Sequence, residues 1–116
     1  MMNKPKIVVI TGPTASGKSS LAIKLAKSLR GEIVSADSMQ VYRYMDIGTA
    51  KPTVEERKDI AHHMIDILNP DEEFNAGIYR RMAAKIIERL SKKGKKVFVV
   101  GGTGLYIRAL VKGLVN

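Results

Sequence analysis

The sequence predicts an α/β fold, a parallel sheet flanked by helices, and three observations predict it. Residues 7–10, 32–35 and 96–100 are short runs rich in β-branched residues with no apolar/polar alternation, as in strands covered on both faces. The segments between them carry apolar residues at helical spacing. Glycines stand where the first and last of these runs end, at Gly12, Gly17, Gly101, Gly102 and Gly104, where ligands gather beyond the carboxyl ends of parallel strands.

In chain order, residues 1–5 form a polar lead-in, and residues 6–11 the first strand, expected to be buried on both faces. Residues 12–19 read Gly-Pro-Thr-Ala-Ser-Gly-Lys-Ser and fit G-x-x-x-x-G-K-[ST]. Gly12 and Gly17 open backbone conformations closed to residues with a Cβ, so that successive N–H groups can converge on one anion. Lys18 adds a mobile positive charge, and the Ser19 hydroxyl suits a Mg²⁺ already held by a diphosphate. The helix that follows directs its positive end at the same point. Gly12, Pro13, Thr14, Ala15, Ser16, Gly17, Lys18 and Ser19 are therefore the candidate diphosphate- or nucleotide-binding residues, with Ser19 also the metal-facing one. Leu21, Ala22, Leu25, Ala26 and Leu29 mark the helix, and Gly31 is expected to stop it. Strand, loop and helix in register are the signature of the fold of P-loop-containing nucleoside triphosphate hydrolases.

Residues 32–35 make the next strand and complete a βαβ unit, so the two strands should be parallel. Asp37 and Ser38 follow directly and fall near the phosphate loop. Residues 37–52 show no sustained periodicity yet are too apolar and aromatic for disorder, and we read them as substrate-contacting. Thr53 opens a capping box and a short helix within residues 53–61. His62 and His63 precede a strand expected over residues 64–68; the chain has no other histidine, so both are read as hydrogen-bonded structural residues. Asn75 can cap a helix bearing Ile78, Met82, Ala83, Ile86, Ile87 and Leu90 on one face, ended by Gly94. Residues 96–100 form a buried strand that delivers Gly101, Gly102, Thr103 and Gly104 to the phosphate-loop end of the sheet, before a helix from Leu105. Thr103 offers a hydroxyl there, although the same glycines also suit an ordinary strand-to-helix turn.

A chain of 116 residues, 45% hydrophobic, holds one domain, spanning 1–116. The formal charge of +9 favours polyanionic partners, but Lys92, Lys93, Lys95 and Lys96 are a charge run of the kind that caps a solvated helix end. With no cysteine there is no disulfide and no thiolate zinc site. No stretch reaches the ~18 apolar residues of a membrane span, and a cytoplasmic location is expected.

Four blocks, residues 12–19, Ser-Ala-Asp-Ser-Met-Gln-Val-Tyr at 35–42, Met-Asp-Ile-Gly-Thr-Ala-Lys-Pro at 45–52 and Val-Gly-Gly-Thr-Gly-Leu-Tyr at 100–106, together resemble the tRNA dimethylallyltransferase family. The resemblance implies transfer of a dimethylallyl group from dimethylallyl diphosphate to N6 of the adenosine 3′ of the anticodon, in tRNAs reading codons that begin with U. It implies that the loop from Thr14 to Ser19 takes the diphosphate, that Asp37 is the general base, and that Asp37, Ser38, Met39 and Gln40 touch the target nucleotide. Thr103 matches a position at the junction of tRNA and substrate. Mg²⁺ is the implied cofactor, the tRNA anticodon arm the implied partner, and a monomer without membrane attachment the expected state. Family members are much longer, with a helical insert gripping the anticodon arm and a C-terminal part completing the reaction channel. The chain thus resembles their N-terminal part.

The residues alone leave two other readings open. A small-molecule kinase would share the loop and use Asp37 as acceptor base, but residues 97–100 lead to Gly-Gly instead of a Mg²⁺-holding Asp, and no Arg-rich lid is evident. A non-catalytic phosphate- or RNA-binding fragment is the third reading.

Overall fold

The computed structural model describes residues 6–12, 17–44 and 51–115. The lead-in, the loop positions Pro13, Thr14, Ala15 and Ser16, most of the third family block (45–50) and Asn116 lie outside the described residues. The elements are β1 (Ile7–Thr11), α1 (Lys18–Leu29), β2 (Gly31–Ser35), α2 (Val54–Asp59), β3 (His62–His63), α3 (Ala76–Lys92), β4 (Lys96–Gly101) and α4 (Gly104–Val115).

β4 is the strand that the sheet is built around. Its residues are buried from Val97 to Gly101 because neighbours pair with both edges and helices cover both faces. The order is β1-β4-β2-β3, every pair parallel. The pleat sends alternate side chains to opposite layers. Val97 and Val99 pack with Tyr79, Ala83, Ile87 and Leu110 under α3 and α4, whereas Phe98 and Val100 pack with Ala22, Ile23, Ala26 and Ile33 under α1. A three-layer α/β/α arrangement results, as the sequence predicts. Within the α3/α4 layer, Tyr79 stacks on Tyr106 with ring centroids 4.7 Å apart and planes 16° apart, and Phe74 meets Tyr106 edge-on.

β1 departs from expectation. It lies at the sheet edge, with Val8 47% and Val9 37% exposed, because only β4 pairs with it among the described residues. A continuous apolar run signals two covered faces, but it does not say which part of a chain supplies the cover.

Gly31 does not end α1. Arg30 takes the left-handed C-cap conformation (φ 55°), its N–H donating to the Ala26 carbonyl. Gly31 opens β2, where a Cβ would stand 2.6 Å from the Phe98 ring. The glycine is there for close strand packing, which sequence spacing cannot separate from helix termination.

The strand expected over residues 64–68 is also absent. Pairing stops after His63, because Met64 (φ 68°) and Asp66 (φ 55°) adopt left-handed conformations that an extended ribbon cannot hold. The segment instead turns against the chain after β2. Asp66 N–H donates to the Gln40 carbonyl (3.0 Å), Ile67 N–H to the Val41 carbonyl (3.0 Å) and Arg43 N–H to the Leu68 carbonyl (2.7 Å).

Both expected caps form. Thr53 and Glu56 make the reciprocal capping box, and Asn75 Oδ1 accepts from Ile78 N–H at 2.9 Å. The histidines take the expected structural roles. His62 Nδ1 lies 2.7 Å from the Ile60 carbonyl oxygen, which fixes that nitrogen as the N–H donor, and His63 Nε2 lies 2.7 Å from Glu32 Oε1.

Candidate functional site

Parallel strands bring their carboxyl ends to one side, and there β1, β2 and β4 deliver Gly12, Asp37 and Thr103. Gly17 (φ 76°) forms the N-cap of α1 and Gly12 has φ 152°, both conformations that disfavour a Cβ. Among the described residues no side chain caps the N-terminus of α1, and its first turn holds no acidic residue. Its orphan N–H groups are therefore left open among the described residues, with Lys18 at the first helical position, an arrangement suited to an anion. Ser19, one residue on, is exposed.

Strands β2 and β4 approach unusually closely just past their ends. A Cβ on Gly101 would stand 2.2 Å from the Ala36 carbonyl oxygen. Ala36 N–H donates to the Val100 carbonyl (2.9 Å) and Thr103 N–H to the Ala36 carbonyl (3.1 Å), so the ladder runs on into the site. Thr103 Oγ1 then accepts from Ser38 N–H at 2.9 Å. Its own hydroxyl proton is left to point elsewhere. On the other side, Gly102 lies against the Gly12 carbonyl, 3.6 Å from where its Cβ would be.

Asp37 is held as an Asx turn. Its Oδ1 accepts from Met39 N–H (2.8 Å) and Gln40 N–H (3.0 Å), leaving Oδ2 without a partner among the described residues. The carboxylate is thus oriented by its own backbone and keeps one oxygen for another molecule. Gln40 turns inward and accepts from Ser35 Oγ at 3.3 Å. A cavity of about 20 Å³, room for a single water, lies between Ser19, Ser35, Gln40 and His62 at the floor of the site. Met39 is exposed beside it.

The structure therefore brings Gly12, Gly17, Lys18, Ser19, Asp37, Ser38, Met39, Gln40 and Thr103 to one end of the sheet. Pro13, Thr14, Ala15 and Ser16 lie outside the described residues. Two contributors were not legible in the sequence. Tyr79, on α3, donates its buried hydroxyl to the Ser35 carbonyl (2.8 Å) and so fixes the end of β2; burial raises its pKa well above the ordinary tyrosine value. Burial first, and then the charges of Tyr42 and Asp37, push the Tyr106 hydroxyl above the ordinary tyrosine value. Tyr106 closes the fourth family block, a signal that could have pointed to it; for Tyr79 no sequence pattern does.

Among the described residues no three His, Asp or Glu side chains converge on a metal position. Ser19 is an oxygen donor of the kind Mg²⁺ prefers. No helix of the described residues is long and apolar enough to cross a membrane.

A parallel α/β sheet with a G-x-x-x-x-G-K-S sequence between β1 and α1, and with Asp37 and Thr103 just past the same ends of β2 and β4, is the architecture of the phosphate-loop α/β class. The model of the IPP transferase family matches residues 40–116, and the chain belongs to that family. It is 59% identical over 113 residues to "tRNA dimethylallyltransferase 2" of Syntrophus aciditrophicus, a match covering 97% of this chain and 36% of that protein. The tRNA delta(2)-isopentenylpyrophosphate transferase of Staphylococcus epidermidis superposes with TM-score 0.88 at 55% identity, covering 92% of this chain and 35% of that one. The full-length tRNA isopentenylpyrophosphate transferase of Bacillus halodurans superposes with TM-score 0.90 at 49% identity, covering 95% and 36%. The chain spans about a third of the length of the relatives it matches.

Proposed function

We propose that the chain carries the donor- and base-binding part of a tRNA dimethylallyltransferase, moving a dimethylallyl group from its diphosphate to N6 of the adenosine 3′ of the anticodon in tRNAs reading U-starting codons. The observation that carries this reading is an oriented, half-free carboxylate at Asp37, next to the Ser38–Thr103 bond, at the sheet end where Gly12 and Gly17 bound the G-x-x-x-x-G-K-S sequence. Matches to relatives named for this reaction support it.

An adenine amine is a weak nucleophile because its lone pair is delocalised into the ring. As N6 bonds to C1 of the allyl group, the C1–O bond breaks and the diphosphate leaves with its electron pair. The N6 proton passes to Asp37 Oδ2, the oxygen that the Asx turn leaves open. Thr103 donates its hydroxyl to the substrate at the junction of base and donor, and Ser38, Met39 and Gln40 line the nucleotide. The loop amides from Gly12 to Ser19, with Lys18, stabilise the charge growing on the leaving group. Ser19 would be the residue that holds Mg²⁺, which when bound would supply neutralisation of part of that charge. We infer a monomer that works in the cytoplasm, where its tRNA substrate is.

The test incubates this chain, and this chain joined to the remaining part of the Bacillus halodurans relative, with dimethylallyl diphosphate, Mg²⁺ and an anticodon stem-loop bearing adenosine after the anticodon. A dimethylallyl mass gain on the RNA is expected for the joined chain, and little or none for these 116 residues alone. No gain in the joined chain, with phosphate transferred from ATP to a small acceptor, would establish the kinase reading instead.

A further inference from the structure

A second polar cluster joins the chain before α2, α2 itself and the segment after β3. The Lys51 side chain is only 8% exposed, and its Nζ donates to Asp66 Oδ1 (2.6 Å) and to the Tyr42 carbonyl oxygen (2.8 Å). Arg57, on α2, donates from Nη1 to Asp66 Oδ2 at 2.8 Å. Both carboxylate oxygens of Asp66 are thus held by cations from the chain before α2 and from α2 itself. Asp66 in turn bonds through its backbone N–H to the Gln40 carbonyl, and Ile67 to Val41. Gln40 N–H donates to Asp37 Oδ1. A continuous series of hydrogen bonds therefore runs from Arg57 and Lys51, through Asp66 and Gln40, to the carboxylate proposed as base.

We propose that Lys51, Asp66 and Arg57 form a clasp that positions Asp37 and Gln40 for the transfer, with Lys51 acting as a positioning residue and not as a ligand of the diphosphate or of an RNA phosphate. The proposal rests on the function given above. Its physical basis is where the Lys51 charge is directed. Turning the ammonium toward a phosphate would strip one cation from Asp66 and leave the Tyr42 carbonyl without that donor, losses that count because the Lys51 side chain is buried. Residues 39–44 form a succession of turns and a single bridge, so ties of this kind hold their backbone in place of a ladder. The reacting carboxylate needs that support, since a misplacement of about 1 Å can cost ~10²-fold in rate.

The test uses Lys51→Met, which keeps the apolar stem and removes the charge. In this chain, amide hydrogen exchange at Arg43, Asp66 and Ile67 should quicken by ~tenfold or more, with exchange in α3 unchanged. In the joined chain, kcat should fall ~10- to 10²-fold with KM for donor and RNA stem-loop within about twofold, and Lys51→Arg should recover most of the loss. A raised KM for dimethylallyl diphosphate or RNA with exchange unchanged would make Lys51 a ligand and overturn the proposal, as would unchanged exchange and kcat together. If Lys51→Met does not fold, Asp66→Asn takes the same measurements; it is nearly isosteric, and asparagine tolerates the left-handed backbone at this position. Failure of transfer in the unsubstituted joined chain would sink the proposed function, whereas the exchange measurement decides the clasp independently.

Discussion

Replacing Gly101 with alanine should disrupt the site from inside the sheet, and the structure sets the size of the effect. The added Cβ would stand 2.2 Å from the Ala36 oxygen, 2.5 Å from its carbonyl carbon and 2.9 Å from its Cα, all backbone atoms that no side-chain rotation can move. Relief requires β2 and β4 to part by about 1.2 Å at their ends. Overpacking of this kind costs ~1–3 kcal/mol. The parting also strains the bonds from Ala36 N–H to Val100 and from Thr103 N–H to Ala36, worth ~0.5–1.5 kcal/mol each. The expected loss is about 2–6 kcal/mol, a large share of the ~5–15 kcal/mol that holds a domain together. At about 4 °C per kcal/mol for a chain of this size, Tm should fall by ~8–24 °C. Thermal unfolding followed by far-ultraviolet circular dichroism measures it, and the neighbouring Gly102→Ala is the control. At that position the nearest atom to a new Cβ is the Gly12 carbonyl oxygen at 3.6 Å, an ordinary contact, so stability should change by no more than ~0.5 kcal/mol. Equal melting of the two variants would refute the claim that strand proximity at Gly101 shapes the site.

Lys18→Ala should weaken pyrophosphate binding by ~tenfold or more in a calorimetric titration, because it removes a full positive charge beside the uncapped start of α1. Asp37→Asn in the joined chain should keep binding of both substrates and lose ~10²- to 10⁴-fold in single-turnover rate; a loss under about tenfold would make Asp37 a positioning residue. Tyr79→Phe removes the buried bond to the Ser35 carbonyl and should cost about 1–2 kcal/mol, read from the urea midpoint. Burial outweighs the bond to the Ile60 carbonyl and holds the His62 pKa below its ordinary 6.5. The stability linked to His62 is therefore complete above about pH 6.5 and is lost as pH falls through the lower folded value. His62→Gln should flatten the decline in urea midpoint between about pH 7 and pH 5, and an unchanged slope would show that His62 does not titrate on unfolding.

Much of the site was legible because its chemistry is local. A glycine-rich turn after a strand, a carboxylate two residues past the next strand and a threonine two residues past the last one are placed by parallel topology alone. The caps at Thr53 and Asn75 were legible for the same reason, since donor and acceptor lie three residues apart. What failed depends on partners remote in sequence. The residues of β1 read as doubly covered, yet Val8 and Val9, on opposite faces of the strand, are both exposed where β1 forms the sheet edge among the described residues. Residues 64–68 have a strand's composition, but left-handed backbone at Met64 and Asp66 redirects them toward Gln40 and Val41. The Lys51 to Asp66 pair joins residues fifteen apart in sequence, across segments with no shared periodicity, and composition carries no trace of it.

The stacked pair of Tyr79 and Tyr106 gives the protein a built-in optical reporter. The chain has four tyrosines and no tryptophan, and two parallel phenol rings 4.7 Å apart in a rigid interior make a chiral pair whose transitions couple. Near-ultraviolet circular dichroism of the unlabelled protein should therefore be dominated by this pair. Tyr79 is tied to the end of β2, and Tyr106 sits on the first turn of α4 beside Thr103. A ligand that shifts α4 against β2 would change that signal without any dye, label or tryptophan substitution in the site.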